Sequence, residues 1–455
     1  MKTTQDFGWF SIFRLGLVQA MLGAVVVLTT STLNRVMVVE LALPALLPGL
    51  LVALHYAVQT SRPRMGFGSD IGGRRTPWVV GGMVVLALGG LGGAVATAWM
   101  ASDRTAGIAL AVLSFTLVGL GVSAGGTSLL VLLAKRVDDS RRAPAATLVW
   151  VMMIVGFAVT AGLAGRWLDP YSPARLIMVS AVVSGVAVLV TLAALAGIEG
   201  RGDAGAAAAA ARPKAEPFRQ ALAQVWHEPE ARRFTIFVFV AMLAYSTQDL
   251  ILEPFAGSVF AFTPGESTQL SGLQHGGTLA GMLLAALAGR RVAGVGFGSL
   301  RHWTAGGCIA SGAALLGLVL AGVLAPHWPL RLNVFLLGVA NGAFSIAAIG
   351  SMMALAGGRG EGREGTRMGL WGAAQAIGFA LGGLFGAALS DLARWLLGSP
   401  ALGYASVFLL EAGLFMAAAA LAARIAIQPA VARPLPGTTP GTATPLPSAP
   451  IGGQP

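Results

Sequence analysis

Twelve apolar runs, each long enough to cross a bilayer as a helix, follow one another along 455 residues with short polar breaks between them. They lie near 13–38, 43–60, 78–100, 106–134, 145–167, 174–197, 233–258, 267–289, 303–324, 330–357, 367–389 and 402–425. In hydrocarbon the backbone must satisfy its own hydrogen bonds, so a run of about 20 apolar residues becomes a helix. With 55% of residues hydrophobic and 11% charged, no water-soluble core could hide this surface. The pattern predicts an all-α polytopic membrane protein with about 12 transmembrane helices. The 63 glycines are spread along the runs, where small residues let helix backbones approach. The single cysteine, Cys308, can form no intrachain disulfide and is expected to pack in its apolar run.

The net charge of +11 invites a nucleic-acid reading, but the basic residues fall in clusters between runs, not along one helix. Every second connection is basic: Arg62, Arg64, Arg74 and Arg75, then Lys135 to Arg142, Arg201 to Arg233, Arg290 to Arg301, and Arg359 to Arg367. The positive-inside rule places these connections and both termini in the cytoplasm, and no nucleic-acid partner is expected. Met1–Trp9 is short and polar, so the first span reads as retained, not as a cleaved leader.

Between spans six and seven an alanine tract, close prolines and mixed charge mark a cytoplasmic linker over 198–232. It separates an N-terminal six-helix half (1–197) from a C-terminal one (233–427), and the proline-rich 428–455 is expected to be disordered. Within the linker, Phe218, Leu222, Val225 and Trp226 recur at helical spacing, as a solvated linker helix or an interfacial one near 217–231. The halves read as a divergent repeat. Pro44 and His55 have the same spacing as Pro264 and His275, and GFAVTAGLAG after Trp150 answers GFALGGLFGA after Trp371.

Polar groups inside membrane spans are costly and mark candidate sites. Asn34, Arg35 and Glu40 lie near the outer end of span one, and Gln248, Asp249, Glu253 and Pro254 at the equivalent end of span seven. They read as a set locking the two halves together or as direct ligand contacts. His55 and His275 stand in otherwise apolar helices, either hydrogen-bonded to a neighbouring span or as axial ligands of a metal or magnesium tetrapyrrole. Glu411, in mid-span twelve, is a candidate proton carrier or a pairing or oligomer contact. Spans four, ten and eleven offer only small polar groups such as Ser123, Asn341 and Gln375, which suits a large lipophilic ligand or tight packing. No zinc-type spacing and no phosphate loop occur in the sequence, so an enzyme is not expected.

The connection RPRMGFGSDIGGRRTP, residues 62–77, carries Gly66, Asp70, Gly73, Arg74 and Arg75. It resembles the loop between spans two and three of the major facilitator superfamily, with Ile71 where a basic residue is usual. Glycines permit the tight turn, Asp70 can accept from helix N-termini or arginines, and the arginines hold the turn on the cytoplasmic side; these five are read as structural. The likeness implies a major facilitator-like fold of two pseudo-symmetric six-helix halves.

Around that loop, LNRVMVVELALPALLPGLLVALHYAV in spans one and two, QDLILEPFAG in span seven and GVANGAFSIAAIGSMMALA in span ten resemble the PucC/LhaA family. The resemblance implies an assembly factor of phototrophic bacteria that binds bacteriochlorophyll or a precursor and delivers it to antenna subunits. It implies a place in the inner (intracytoplasmic) membrane, in contact with lipid, light-harvesting antenna polypeptides and the reaction-centre complex. His55 and His275 then become candidate magnesium ligands, with Asn34, Glu40, Gln248 and Glu253 as alternative ligands or hydrogen-bond donors to pigment carbonyls. The alternatives are a proton-coupled carrier of a lipophilic solute and a pigment-free scaffold.

Overall fold

The structure, a computed structural model, describes residues 7–59, 74–137, 139–199, 226–288, 299–357 and 364–425. The loop residues Gly66, Asp70 and Gly73, the pair Arg290-Arg291, most of the linker and the proline-rich tail lie outside the described residues.

Among the described residues there are twelve helices and no strand. In the N-terminal half they are α1 (Trp9–Glu40), α2 (Leu46–Val58), α3 (Thr76–Trp99), α4 (Arg104–Arg136), α5 (Asp139–Leu168) and α6 (Pro173–Leu195). In the C-terminal half they are α7 (Pro229–Phe260), α8 (Pro264–Ala288), α9 (Leu300–Leu324), α10 (Leu330–Gly357), α11 (Glu364–Leu397) and α12 (Pro400–Ala423). Local chemistry sets many of the boundaries. Asp103, Ser172, Ser299 and Ser399 each accept a backbone N–H in the first turn of the helix they precede. Thr263 and Glu266 form a capping box at α8: the Glu266 carboxylate takes the Thr263 N–H at 3.0 Å and the threonine hydroxyl takes the Glu266 N–H at 3.1 Å.

Helices outrun the apolar runs where a cap lies further on. α11 reaches Leu397, past the expected 389, because the turn that stops it is Gly398 at φ +64°. α2 is shorter than the expected 43–60: Ala42 turns through φ 49° and Pro44 stays outside the helix. Ten helices are long and apolar enough to cross a membrane. The other two are α2, at 13 residues, and α8, whose sequence is interrupted by Ser, Gln, His and Thr. They occupy equivalent places in the two halves, and each carries one of the two intramembrane histidines.

Each half has its own apolar core, built in the first from residues such as Leu15, Val79 and Val118 and in the second from Phe234, Phe255, Phe344 and Phe408. A third cluster crosses between them, bringing Leu250 of α7 against Leu33 and Leu51. Outside, large apolar side chains stand exposed along α3, α6, α9 and α10, an apolar surface that only lipid can cover.

Candidate functional site between the two halves

α1 changes helical pitch where its polar residues begin. Leu28–Thr32 and Val36–Glu40 are π-helical and flank the single α-helical turn that carries Asn34 and Arg35. Such widened turns re-aim side chains and favour functional positions. Asn34, 2% exposed, donates its side-chain amide to the Leu250 carbonyl of α7 at 2.5 Å. Four residues beyond Leu250 is Pro254, inside α7 and without an N–H. The carbonyl that the proline leaves unpaired in one half is thus satisfied by the asparagine of the other.

Arg35, equally buried, ties three segments together. Its guanidinium donates to Glu40 at 2.5 Å and to the Phe262 carbonyl, beyond α7, at 2.6 Å. It occupies the space left by Gly257, where a Cβ would lie 2.8 Å from the arginine Nη2. Tyr171, in the α5–α6 connection, faces the same pair; burial first and the Glu40 charge second push its hydroxyl pKa up, with Arg35 opposing. Glu253, 1% exposed, faces Thr268 and Ser271 of α8, and the Thr268 hydroxyl meets that of Thr32 at 3.1 Å.

Two carboxylates complete this end of the bundle, remote from the termini. Asp391, at the end of α11, accepts the Ala45 and Leu46 N–H groups at the start of α2, at 3.0 and 2.8 Å. Asp169, at the end of α5, accepts the hydroxyl of Thr263, the capping residue of α8, at 3.0 Å. Each half therefore holds the N-terminus of a helix belonging to the other, in pseudo-symmetric positions. Close backbone approach reinforces both: a Cβ on Gly49 of α2 would lie 2.7 Å from Ala387 of α11, and one on Gly265 of α8 2.3 Å from the Asp169 carboxylate.

The histidines are not brought together. α2 packs on α4 and α11, whereas α8 packs on α5 and α10. His55, 1% exposed, has its Nε2 2.8 Å from the Gln59 amide nitrogen, and a metal there would have to displace that contact. His275 has Nδ1 2.8 Å from the Ser271 carbonyl, which fixes Nδ1–H as donor and leaves Nε2 with its lone pair. Phe157 of α5 meets its ring edge-on with centroids 4.9 Å apart, and a Cβ on the adjacent Gly276 would meet nothing within 4 Å. A carbonyl-anchored imidazole whose Nε2 has no hydrogen bond among the described residues fits the donor that a magnesium tetrapyrrole takes.

Deeper in the bundle, Tyr56 stacks on Phe379 of α11 at 5.5 Å, and Tyr245 of α7 meets Phe379 and Phe344 at 5.9 and 6.5 Å. This aromatic bridge was not a sequence expectation. Its signal was present, because two of the four tyrosines stand beside His55 and one helical turn before Asp249. Gln248 is fully buried, with neither amide atom partnered among the described residues. Glu411 is likewise 0% exposed and lies within electrostatic reach of Asp249. It points into its own half, which removes the oligomer-contact reading: α12 turns this face to α7, not to the periphery.

Of the loop residues, Arg74 is exposed and Arg75 is buried. Glu199, just past α6, accepts from the Arg75 N–H at 2.9 and 3.0 Å and from the Thr76 N–H at 2.7 Å, capping α3. Burial works to raise its pKa, but the N–H donors of Thr76 and Arg75 outweigh it and hold the carboxyl below its usual value. This acid was not anticipated from the sequence.

A family profile described as PUCC protein matches residues 32–430. The chain is 52% identical over 428 residues to the "Bacteriochlorophyll synthase 44.5 kDa chain" of Rhodobacter capsulatus, covering 94% of this chain and 97% of that one. It is 32% identical to "Protein PucC" of Cereibacter sphaeroides, over 88% and 89% of the two chains. Among solved structures it is similar to the D-xylose–proton symporter, with TM-score 0.70 and 13% identity over 92% of this chain and 98% of that one. A bacterial homologue of the lysosomal transporter Spinster gives 0.67 and 15%, over 92% and 97%. Both of these establish the fold alone. The profile match and the two relatives show that the chain belongs to the PUCC protein family, and its twelve-helix bundle has the fold of the two transporters.

Proposed function

We propose that this protein binds bacteriochlorophyll or a precursor within the membrane and delivers it to light-harvesting antenna polypeptides, acting as an assembly factor without a catalytic step. The observation that carries the reading is His275, an imidazole with Nδ1 committed to a backbone carbonyl and Nε2 without a hydrogen bond among the described residues, in a charge-poor helical interior. The likeness over 94% of the chain to a protein named for bacteriochlorophyll supports it, and the word synthase belongs to that relative's name. When bound, the magnesium ring would supply light absorption and an open axial position. This chain's residues would hold and orient it: His275, with His55, Asn34, Glu40, Gln248 and Glu253 as further candidate contacts. The reading places the protein in the inner (intracytoplasmic) membrane with both termini cytoplasmic and lipid, antenna polypeptides and the reaction-centre complex as partners. Purification in mild detergent followed by near-infrared absorption tests it; consistent absence of pigment from protein made in a pigmented host would overturn it.

The buried Glu411, set against Asp249, favours a second reading as a proton-linked carrier of a lipophilic solute. Glu411→Gln would then abolish proton-coupled uptake into vesicles, and unchanged uptake removes that mechanism.

A further inference from the structure

The membrane-facing side of the C-terminal half is cut by an apolar groove of about 860 Å³ between α9 and α10, with Leu284 of α8 at its edge. It runs from His302 and Trp303 at one end to Trp328 and Asn333 at the other. From His302 to Gly317, α9 rises roughly 22 Å at about 1.5 Å per residue. The floor is small, with Gly306, Ala310 and Ala314, and the walls are the exposed Leu332 and Leu336. No lining residue among the described residues is charged.

α9 and α10 touch along one side: a Cβ on Gly307 would lie 2.7 Å from Phe344 N, whereas one on the neighbouring Gly306, at the groove, would meet nothing within 4 Å. Both ends are braced. At one, Trp328 Nε1 donates to Asn333 at 2.9 Å and Asn333 donates to the Ala314 carbonyl at 2.8 Å. At the other, the Ser299 hydroxyl that caps α9 lies 2.8 Å from His302 Nδ1.

We propose that this groove is a tetrapyrrole site facing the bilayer, with His302 Nε2 as axial ligand to the ring metal and the apolar channel taking the esterified isoprenoid tail. The inference rests on the pigment reading above and adds to it a site on a different face of the molecule. The chemistry selects the occupant. A neutral lining matches a neutral macrocycle and offers nothing to a phosphate headgroup. A volume near the top of the roughly 300–1,000 Å³ range of small-molecule pockets asks for a large ligand. Among the described lining side chains only His302 is a good metal ligand, and with Nδ1 2.8 Å from the Ser299 hydroxyl, Nε2 is the nitrogen left for a metal. A groove open to lipid also lets a pigment pass sideways to a single-span polypeptide without crossing the bundle.

The test uses the full chain in lipid nanodiscs, titrated with bacteriochlorophyll a and followed by the near-infrared band shift and quenching of tryptophan fluorescence. His302→Ala and Gly306→Leu, which fills the channel, should each weaken binding about 10–100-fold. Gly413→Leu, at another exposed glycine with open space around it, should leave binding unchanged. The magnesium-free bacteriopheophytin should bind more weakly than the magnesium pigment to the wild type and equally weakly to His302→Ala. Saturable binding that survives both groove variants and is lost in His275→Ala overturns the groove and leaves the pigment reading standing. A wild type that takes up no pigment overturns both.

Discussion

Replacing Asn34 by alanine removes the only side chain seen to serve the Leu250 carbonyl, in a stretch of α7 where the helix cannot serve it because Pro254 has no N–H. Leu250 is 4% exposed and Asn34 2%, so water does not substitute. An unsatisfied buried acceptor costs about 1–3 kcal/mol in soluble proteins. Interhelical hydrogen bonds in membrane proteins average about 0.6 kcal/mol and reach about 1.7, because the separated helices find other partners. The absence of the intrahelical alternative puts Asn34→Ala near the upper value, a loss of about 1–2 kcal/mol. The assay is a double-mutant cycle read by denaturant unfolding in detergent. Pro254→Ala supplies the missing N–H, so in that background Asn34→Ala should cost less than about 0.5 kcal/mol, a coupling of about 1 kcal/mol between residues more than two hundred positions apart. Strict additivity would refute the reasoning, since it would mean that the asparagine and the proline do not share one carbonyl.

Arg35→Lys should destabilise the protein by about 1–3 kcal/mol on thermal unfolding, because one ammonium cannot span Glu40 and the Phe262 carbonyl as the guanidinium fork does. Asp391→Asn should loosen the contact between α11 and the start of α2, raising cysteine-crosslinking distances there while leaving far-UV circular dichroism unchanged, because α11 keeps its own backbone bonds. Glu199 has its carboxyl pKa depressed in the folded state, so the stability it contributes is present above the unfolded value of 4.5 and is lost as pH falls through and below it. The acid limb of the thermal stability profile should therefore flatten in Glu199→Gln, and an unchanged limb would show that other carboxylates carry it. Gly265→Val, which drives a side chain into Asp169, should separate α5 from α8 and lower stability more than the same change at the open Gly162.

What the sequence made legible follows from how each feature is encoded. Ten of the twelve described helices are written in hydropathy, which nearly every residue of a span repeats; α2 and α8 carry a weaker signal. The polar residues of α1 and α7 stand out because charge and amide groups are expensive there. Their partnership was half legible: a proline in a helix announces one unserved carbonyl, but which side chain of the other half reaches it depends on the π-helical turns around Asn34, and those have no strong sequence signature. The Asp391 and Asp169 contacts were not legible, since each acid sits at a helix end where an aspartate is ordinary. For Glu411 the sequence left the proton-carrier, pairing and oligomer readings open, because the neighbour of a lone mid-span acid is set by helix packing angles. The groove between α9 and α10 was invisible for a related reason: Gly307 packs on Phe344 while its neighbour Gly306 stands open, and nothing in the residue type separates the two outcomes.

The two helices that fall short as membrane spans, α2 and α8, are the two whose N-termini are held by a carboxylate from the opposite half. These facts have one cause. A helix that lines the seam between two halves must present polar atoms to a partner that can also move away, so it cannot be apolar all round. Its first-turn N–H groups need acceptors in a region with little water: at α2 Asp391 accepts two N–H groups directly, at α8 Asp169 holds the capping hydroxyl of Thr263, and each places a charge favourable to the helix dipole. The cost of parting the halves at this end is therefore the simultaneous loss of the Asp391 and Asp169 contacts, the Arg35 tie to Phe262 and the Asn34 bond to Leu250, while Arg35 keeps Glu40 and Asp391 keeps Arg394. A carrier that alternates must recover that loss from contacts at the other end in every cycle. A protein that receives and releases its ligand sideways, through the lipid, has no such requirement, and a strongly fastened seam is compatible with its work.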